Sequence, residues 1–261
     1  MRGAILETRF DQLPVEVYPD NAALGGAAAE GAAQILAAAI SRQGHANLIV
    51  ATGNSQLTFY QALRVRRDID WQRVTVFHMD EYAGMAPDHP ASFRRYLHEN
   101  FVDAVRPAAF YGVTGDAPNL EQECLRYADL LRTHPADLCC LGIGENGHLA
   151  FNDPPYALFH DPVWVKVVEL SEASRRQQVG EGYFPTLAEV STHAITLTIP
   201  ALLAAQQMLA IVPEKRKAPA VQAALAGPIT EQCPASILRT VTHARLFLDV
   251  DSFSQVPVPG R

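Results

Sequence analysis

The chain has 261 residues, is 48% hydrophobic and carries a formal charge of −7. A chain of this length buries roughly 70–75% of its unfolded surface, so one core can stand without a metal or disulfide staple. The acidity argues against a nucleic-acid or anionic-membrane partner and confines any anion binding to a local site. Cys124, Cys139, Cys140 and Cys233 show no CxxC spacing and no matching histidine pattern, which speaks against a metal or disulfide framework. The N-terminal residues lack an apolar h-region, and no run reaches the ~18 apolar residues that a membrane span requires. The expectation is a cytoplasmic protein.

Residues 15–18 read as a short strand and 21–41 as a long Ala-rich helix capped by Asp20 or Asn21. A buried strand at 48–51 passes through a turn at 52–55 into a helix at 57–64. A third strand at 74–78 precedes a loop running to Pro90, and Ser92 caps a helix at 92–101. An amphipathic helix at 120–133 leads into the strand 138–141, where Cys139 and Cys140 point to opposite faces. Strands at 164–168 and 194–198, a helix opened by Pro200, a strand at 208–212, a helix at 215–226 and a strand at 245–250 follow. This alternation predicts a single α/β domain over 1–261, an open, mainly parallel, Rossmann-like sheet with helices on both faces. The stretch 154–184 is the least regular and reads as a mobile lid.

Three loops at strand ends carry the chemistry. Thr52, Gly53, Asn54 and Ser55 stand between a strand and a helix, where backbone N–H groups suit a phosphate, although a plain helix cap explains the same residues. Asp80 and Glu81 follow an apolar strand; a carboxylate at the edge of a desolvated cleft is a usable base near neutrality. Successive side chains diverge, so one of the two faces the cleft and the other braces the loop.

The third loop, in DLCCLGIGENGHLAFNDP, breaks its strand at Gly142 and Gly144, residues free to take positive φ and approach a ligand closely. Glu145, Asn146, His148, Asn152 and Asp153 fall within nine residues, a neutral imidazole among acids and amides, suited to proton transfer. Lys217 begins a helix against the helix dipole, which suggests an anionic partner. His78, His89, His98 and His193 read as structural or surface residues, with His78 sharing the face of Asp80 if the strand continues.

Together MDEY, G-x-G-x-N-G-H-x-A-F-N-x-P and K-A-x-A-x-Q resemble the glucosamine-6-phosphate deaminase/isomerase family, in order from residue 48 to residue 249. Its relatives include the 6-phosphogluconolactonases, but DEY and AFNDP look closer to the amino-sugar branch. The resemblance implies a sugar-phosphate isomerase type of fold, Asp80 as the enolisation base and His148 as the residue that opens the sugar ring. Asn146 falls where members have Asp or Asn, and Asp153 where they usually have Glu. Thr52, Gly53, Asn54, Ser55 and Lys217 match the segments that hold the phosphate, with Glu81 and Gly147 beside the substrate. The family's arginine before two aromatics is missing next to Tyr183 and Phe184, which leaves Arg175 or Arg176 as its substitute. The implied reaction is aldose–ketose isomerisation with loss of ammonia from an amino-sugar 6-phosphate, with no metal or organic cofactor. Gluco and galacto substrates, a lactone hydrolase, a non-catalytic sugar-phosphate sensor and a homo-oligomer all stay open.

Overall fold

A computed structural model describes residues 3–257, with eight strands in one sheet and three in another. In chain order the elements are β1 (Leu6–Phe10), β2 (Leu13–Tyr18), α1 (Asn21–Gln43), β3 (Ala46–Val50), α2 (Leu57–Leu63), β4 (Val74–His78) and β5 (Asp80–Tyr82). Then come α3 (Phe93–Leu97), continued through a π turn into α4 (Asp103–Val105), β6 (Ala109–Tyr111), α5 (Leu120–Thr133) and β7 (Leu138–Leu141). The last are β8 (Val165–Glu169), α6 (Glu172–Gly180), β9 (His193–Leu197), α7 (Ile199–Leu203), β10 (Gln207–Val212), α8 (Ala218–Ala226) and β11 (Ala244–Asp249).

The large sheet has the order β1-β2-β11-β10-β7-β3-β4-β6, and only β1 and β2 pair antiparallel. From β3 the chain moves outward to β4 and β6, then returns to β7 and leaves in the other direction. The β3–β7 boundary is therefore a switch point, and ligands in open α/β sheets bind beyond the carboxyl ends of such strands.

Both faces of the sheet's centre are buried, which is why its central strands are mostly apolar. Ile49, Cys139 and Ala210 face a core with Tyr127 of α5, Leu202 of α7 and Val221 of α8. Leu48, Val50, Cys140 and Leu209 face the other core, with Leu24 of α1 and Phe59 of α2. The adjacent cysteines are free and divide between the two cores.

Two expectations change. The strands foreseen at 164–168 and 194–198 stay outside the parallel sheet: β8 and β9 pair antiparallel, and β9 pairs with β5. β5 is the continuation of the chain just past β4, so the second sheet grows from the edge of the site. The stretch 154–184 is more regular than it reads, since besides the foreseen strand it holds α6. The short strands β1 and β6 had no pattern long enough to announce them.

Asp20 caps α1, accepting from the Ala23 N–H at 2.8 Å. By length and composition this helix could cross a membrane, yet its buried residues, such as Ala28, Ala32 and Leu36, pack in the core. A β-carbon on Gly25 would lie 2.7 Å from the Thr58 carbonyl carbon, so α1 and α2 approach backbone to backbone. Gly25→Val should lower stability by about 1–3 kcal/mol through overpacking, seen as a lower urea midpoint. Gly31→Ala is the control: its β-carbon first meets side-chain atoms at 3.4 Å, and its midpoint should hold or rise.

Candidate active site

Beyond the carboxyl ends of β3, β4 and β7 lies a cleft walled by Met79, Phe93 and Phe151. Its first polar edge is the turn after β3. Gly53 has φ 108°, a left-handed value that favours glycine. It bends the chain into a 3-10 turn, Asn54–Gln56, that runs into α2. The N–H groups of Gly53, Asn54 and Ser55 find no acceptor among the described residues. Thr52, Gly53 and Ser55 line the cleft. Asn54 instead bonds the chain opposite, donating to the Glu181 carbonyl at 3.2 Å and accepting from the Tyr183 hydroxyl at 3.2 Å.

The two acidic residues after β4 divide as their alternating directions require. Asp80 lines the cleft, and its buried Oδ1 has no hydrogen-bond partner among the described residues. Burial, and then the neighbouring Glu81 charge, push its carboxyl well above the ordinary range. Glu81 is fully buried and accepts from Ser92 Oγ and from the N–H groups of Tyr82, Phe93 and Arg94. Ser92, Phe93 and Arg94 start α3, so the carboxylate fixes the helix N-terminus and does not line the cleft. Burial still raises Glu81, opposed by these hydrogen bonds.

In the loop after β7 the His148 ring lies across Gly144. A β-carbon there would fall 2.1 Å from Cε1 and 2.2 Å from Nε2, so any side chain at 144 would displace the imidazole. Gly142 likewise matters for proximity, since a β-carbon there would lie 3.2 Å from Gln56 Nε2, and the positive φ belongs to Gly147, at 86°. Asn146 Oδ1 accepts from the His148 N–H and lies 2.7 Å from Nδ1. The amide orientation, assigned from this network, puts the proton on Nδ1 and leaves Nε2 for the cleft. Asn146 Nδ2 donates to Asp153 Oδ1, which is 3.2 Å from His148 Nδ1. Burial would raise the Asp153 carboxyl, but the His148 charge and hydrogen bonds from His148, Ser174 and Asn146 outweigh it and hold it at about 2. Asn146, Gly147 and Asp153 thus stand behind the imidazole, not in the cleft.

The smaller sheet fastens this loop. Phe151 N donates to Thr196 Oγ1 at 3.1 Å and Asn152 Nδ2 to the Leu197 carbonyl at 2.7 Å, both on β9. β9 also pairs with β5, putting Thr196 opposite Asp80.

Lys217 also lines the cleft, 3% exposed. Its position follows the 3-10 turn Lys215–Lys217, which precedes α8, where the sequence suggested one continuous helix. Arg175 donates to the Leu187 and Val190 carbonyls, and exposed Arg176 pairs with Glu172; neither lines the cleft.

The residues that sequence reasoning missed lie on and just beyond α6, which covers the cleft. Ser174 Oγ donates to Asp153 Oδ2 at 2.7 Å and lies 3.2 Å from His148 Nδ1. Gln177, Gln178 and Glu181 line the cleft. Positions 174, 177, 178 and 181 share one helical face, a polar stripe whose spacing was the available signal. Among the described residues no group of three or more His, Cys, Asp or Glu side chains could hold a metal ion.

The model of a family described as glucosamine-6-phosphate isomerases/6-phosphogluconolactonase matches residues 19–247. Glucosamine-6-phosphate deaminases of Bacillus cereus and Bacillus cytotoxicus are each 34% identical over 226 residues, covering 87% of this chain and 84% of theirs. Among solved structures, a monomeric glucosamine-6-phosphate deaminase superposes with a TM-score of 0.85 at 30% identity, covering 92% of this chain and 99% of its own. A 6-phosphogluconolactonase from Shewanella baltica gives 0.74 at 21% identity, covering 95% and 99%, a likeness of fold.

The depressed Asp153 carboxyl has a thermodynamic signature. A group held lower in the folded state than when unfolded contributes stability above its unfolded value, lost as pH falls through the folded one. The stability difference between wild type and Asp153→Asn should therefore shrink between about pH 4 and pH 2, by on the order of 2 kcal/mol. Urea melts across that range measure it; a constant difference would contradict a depressed Asp153 carboxyl.

Proposed function

The chain belongs to the glucosamine-6-phosphate isomerase/6-phosphogluconolactonase family, and we propose that it is a deaminating isomerase of amino-sugar 6-phosphates. The reaction proposed is glucosamine 6-phosphate plus water to fructose 6-phosphate plus ammonia. One observation carries this reading: a buried, unpartnered carboxylate, Asp80, shares the cleft with a backed imidazole, His148.

Ring opening needs a group that takes a proton from the anomeric hydroxyl and returns one to the ring oxygen. His148 suits that role, with Nδ1 engaged behind the ring by Asn146 and Nε2 left for the cleft. Isomerisation then moves a proton from C2 to C1, and water releases the nitrogen as ammonia. One carboxylate can serve both carbons, because they are adjacent. Asp80 suits this step, since its unpaired oxygen has no competing donor, and apolar walls at Met79, Phe93 and Phe151 limit its solvation. The unpaired N–H groups at 53–55 and Lys217 supply a seat for the phosphate, which would hold C1 and C2 in place.

Lactone hydrolysis would require His148 to activate water but would leave Asp80 idle. Asp80→Asn separates the two chemistries. It should cut ammonia release from glucosamine 6-phosphate by about 10²–10⁴-fold with the fold intact by circular dichroism. Wild-type turnover in that variant would rule the mechanism out, and lactone hydrolysis that survives it would favour the hydrolase. Galactosamine 6-phosphate assayed in parallel chooses the sugar.

The base must be ionised to work, and burial raises its carboxyl. On the acid side kcat/KM should therefore rise with pH through a midpoint above that of an ordinary aspartate. A pH–rate profile whose acid limb falls in the ordinary aspartate range would argue against Asp80 as the base.

A further inference from the structure

Beside the turn at Gly53 the cleft already contains an anion of the protein's own. Glu181 ends α6, and its side chain is only 4% exposed. Oε1 accepts from Gln177 Nε2 at 2.9 Å and from Arg216 Nη1 at 3.1 Å. Oε2 lies 3.6 Å from where a β-carbon on Gly53 would sit. The segment is fastened to the same turn through Asn54, which bonds both the Glu181 carbonyl and the Tyr183 hydroxyl. Lys217 stands beside it, buried and without an ion pair among the described residues. Burial lowers the Lys217 ammonium, and Glu181 is the charge that most opposes this.

We propose that Glu181 is a specificity-determining residue, a resident carboxylate at the phosphate end of the cleft that the substrate's phosphate must displace. The inference rests on the sugar-phosphate reading of the same cleft. A dianionic phosphate and a carboxylate cannot share one turn and one lysine without strong repulsion. The resident charge therefore sets a threshold: a phosphate monoester can displace it, whereas a neutral sugar cannot. The same competition weakens phosphate binding relative to an uncharged side chain at this position.

Glu181→Gln tests this, because the amide keeps the size of the side chain and can still accept from Gln177 and Arg216. Inorganic phosphate is the probe, titrated calorimetrically into each protein and used as a competitive inhibitor of the sugar phosphate. The variant should bind phosphate about tenfold more tightly, with the substrate effect appearing in KM rather than kcat. Glu181→Ala should show the same direction, guarding against an effect particular to the amide. Unchanged or weaker phosphate binding in both variants would overturn the inference and leave Glu181 a brace for α6. Failure of wild type and variants alike to bind phosphate would overturn it too. Ammonia release with equal phosphate affinities would reject this inference while leaving the deaminase reading intact. A tenfold gain in phosphate affinity without ammonia release would do the reverse.

Discussion

The imidazole of His148 occupies the space that a side chain at position 144 would need, and the rest of the site is arranged around that contact. The Gly144 N–H donates to the His148 carbonyl at 2.9 Å, folding the loop so that the ring can lie on the bare α-carbon. Once there, Nδ1 faces Asn146, and Asn146 must point its oxygen at the ring and its nitrogen at Asp153. Asp153 then has one oxygen left, which takes the Ser174 hydroxyl and so docks α6 over the cleft. A single missing β-carbon thus fixes the tautomer of the histidine, the charge behind it and the position of the covering helix.

Three buried carboxylates near the cleft show how environment, not residue type, assigns a task. Glu81 is saturated by three N–H groups and a hydroxyl and serves α3. Asp153 is held ionised by His148 and its hydrogen bonds. Asp80 keeps an unpaired buried oxygen and alone of the three lines the cleft. A buried acceptor without a donor costs stability, and a protein retains such a cost most readily where the group must stay free for another partner.

Much of this was legible in the chain. β4 and β7 have the bounds that the apolar runs suggested, since strands buried on both faces read as unbroken hydrophobic segments. The division of labour between Asp80 and Glu81 followed from alternation, though not which residue would take which part; counting Glu81 among the residues beside the substrate did not anticipate its place under α3. The second sheet was hidden because β8 and β9 look like any other strands, and only their partners differ. The spacing of Ser174 and Glu181 could mark a polar helical face, but it could not name their partners. Their partners lie 21 residues away for Asp153 and 35 for Arg216, and no local pattern reports a contact at that range. Arg175 and Arg176 were attractive by type, but carbonyl groups and Glu172 occupy them.

β9 gives the site a common mounting. The strand that carries Asp80 pairs with it, and the loop that carries His148 hangs from Thr196 and Leu197 of the same strand. Asp80 and His148 come from chain segments far apart in sequence, yet both are tied to neighbouring residues of one short strand. Their spacing is set by these local contacts to β9 as well as by the ends of β4 and β7 from which the two segments emerge. Insertions in the intervening surface loops are insulated from the chemistry for the same reason, so such a scaffold can vary its periphery while keeping its reacting geometry in register.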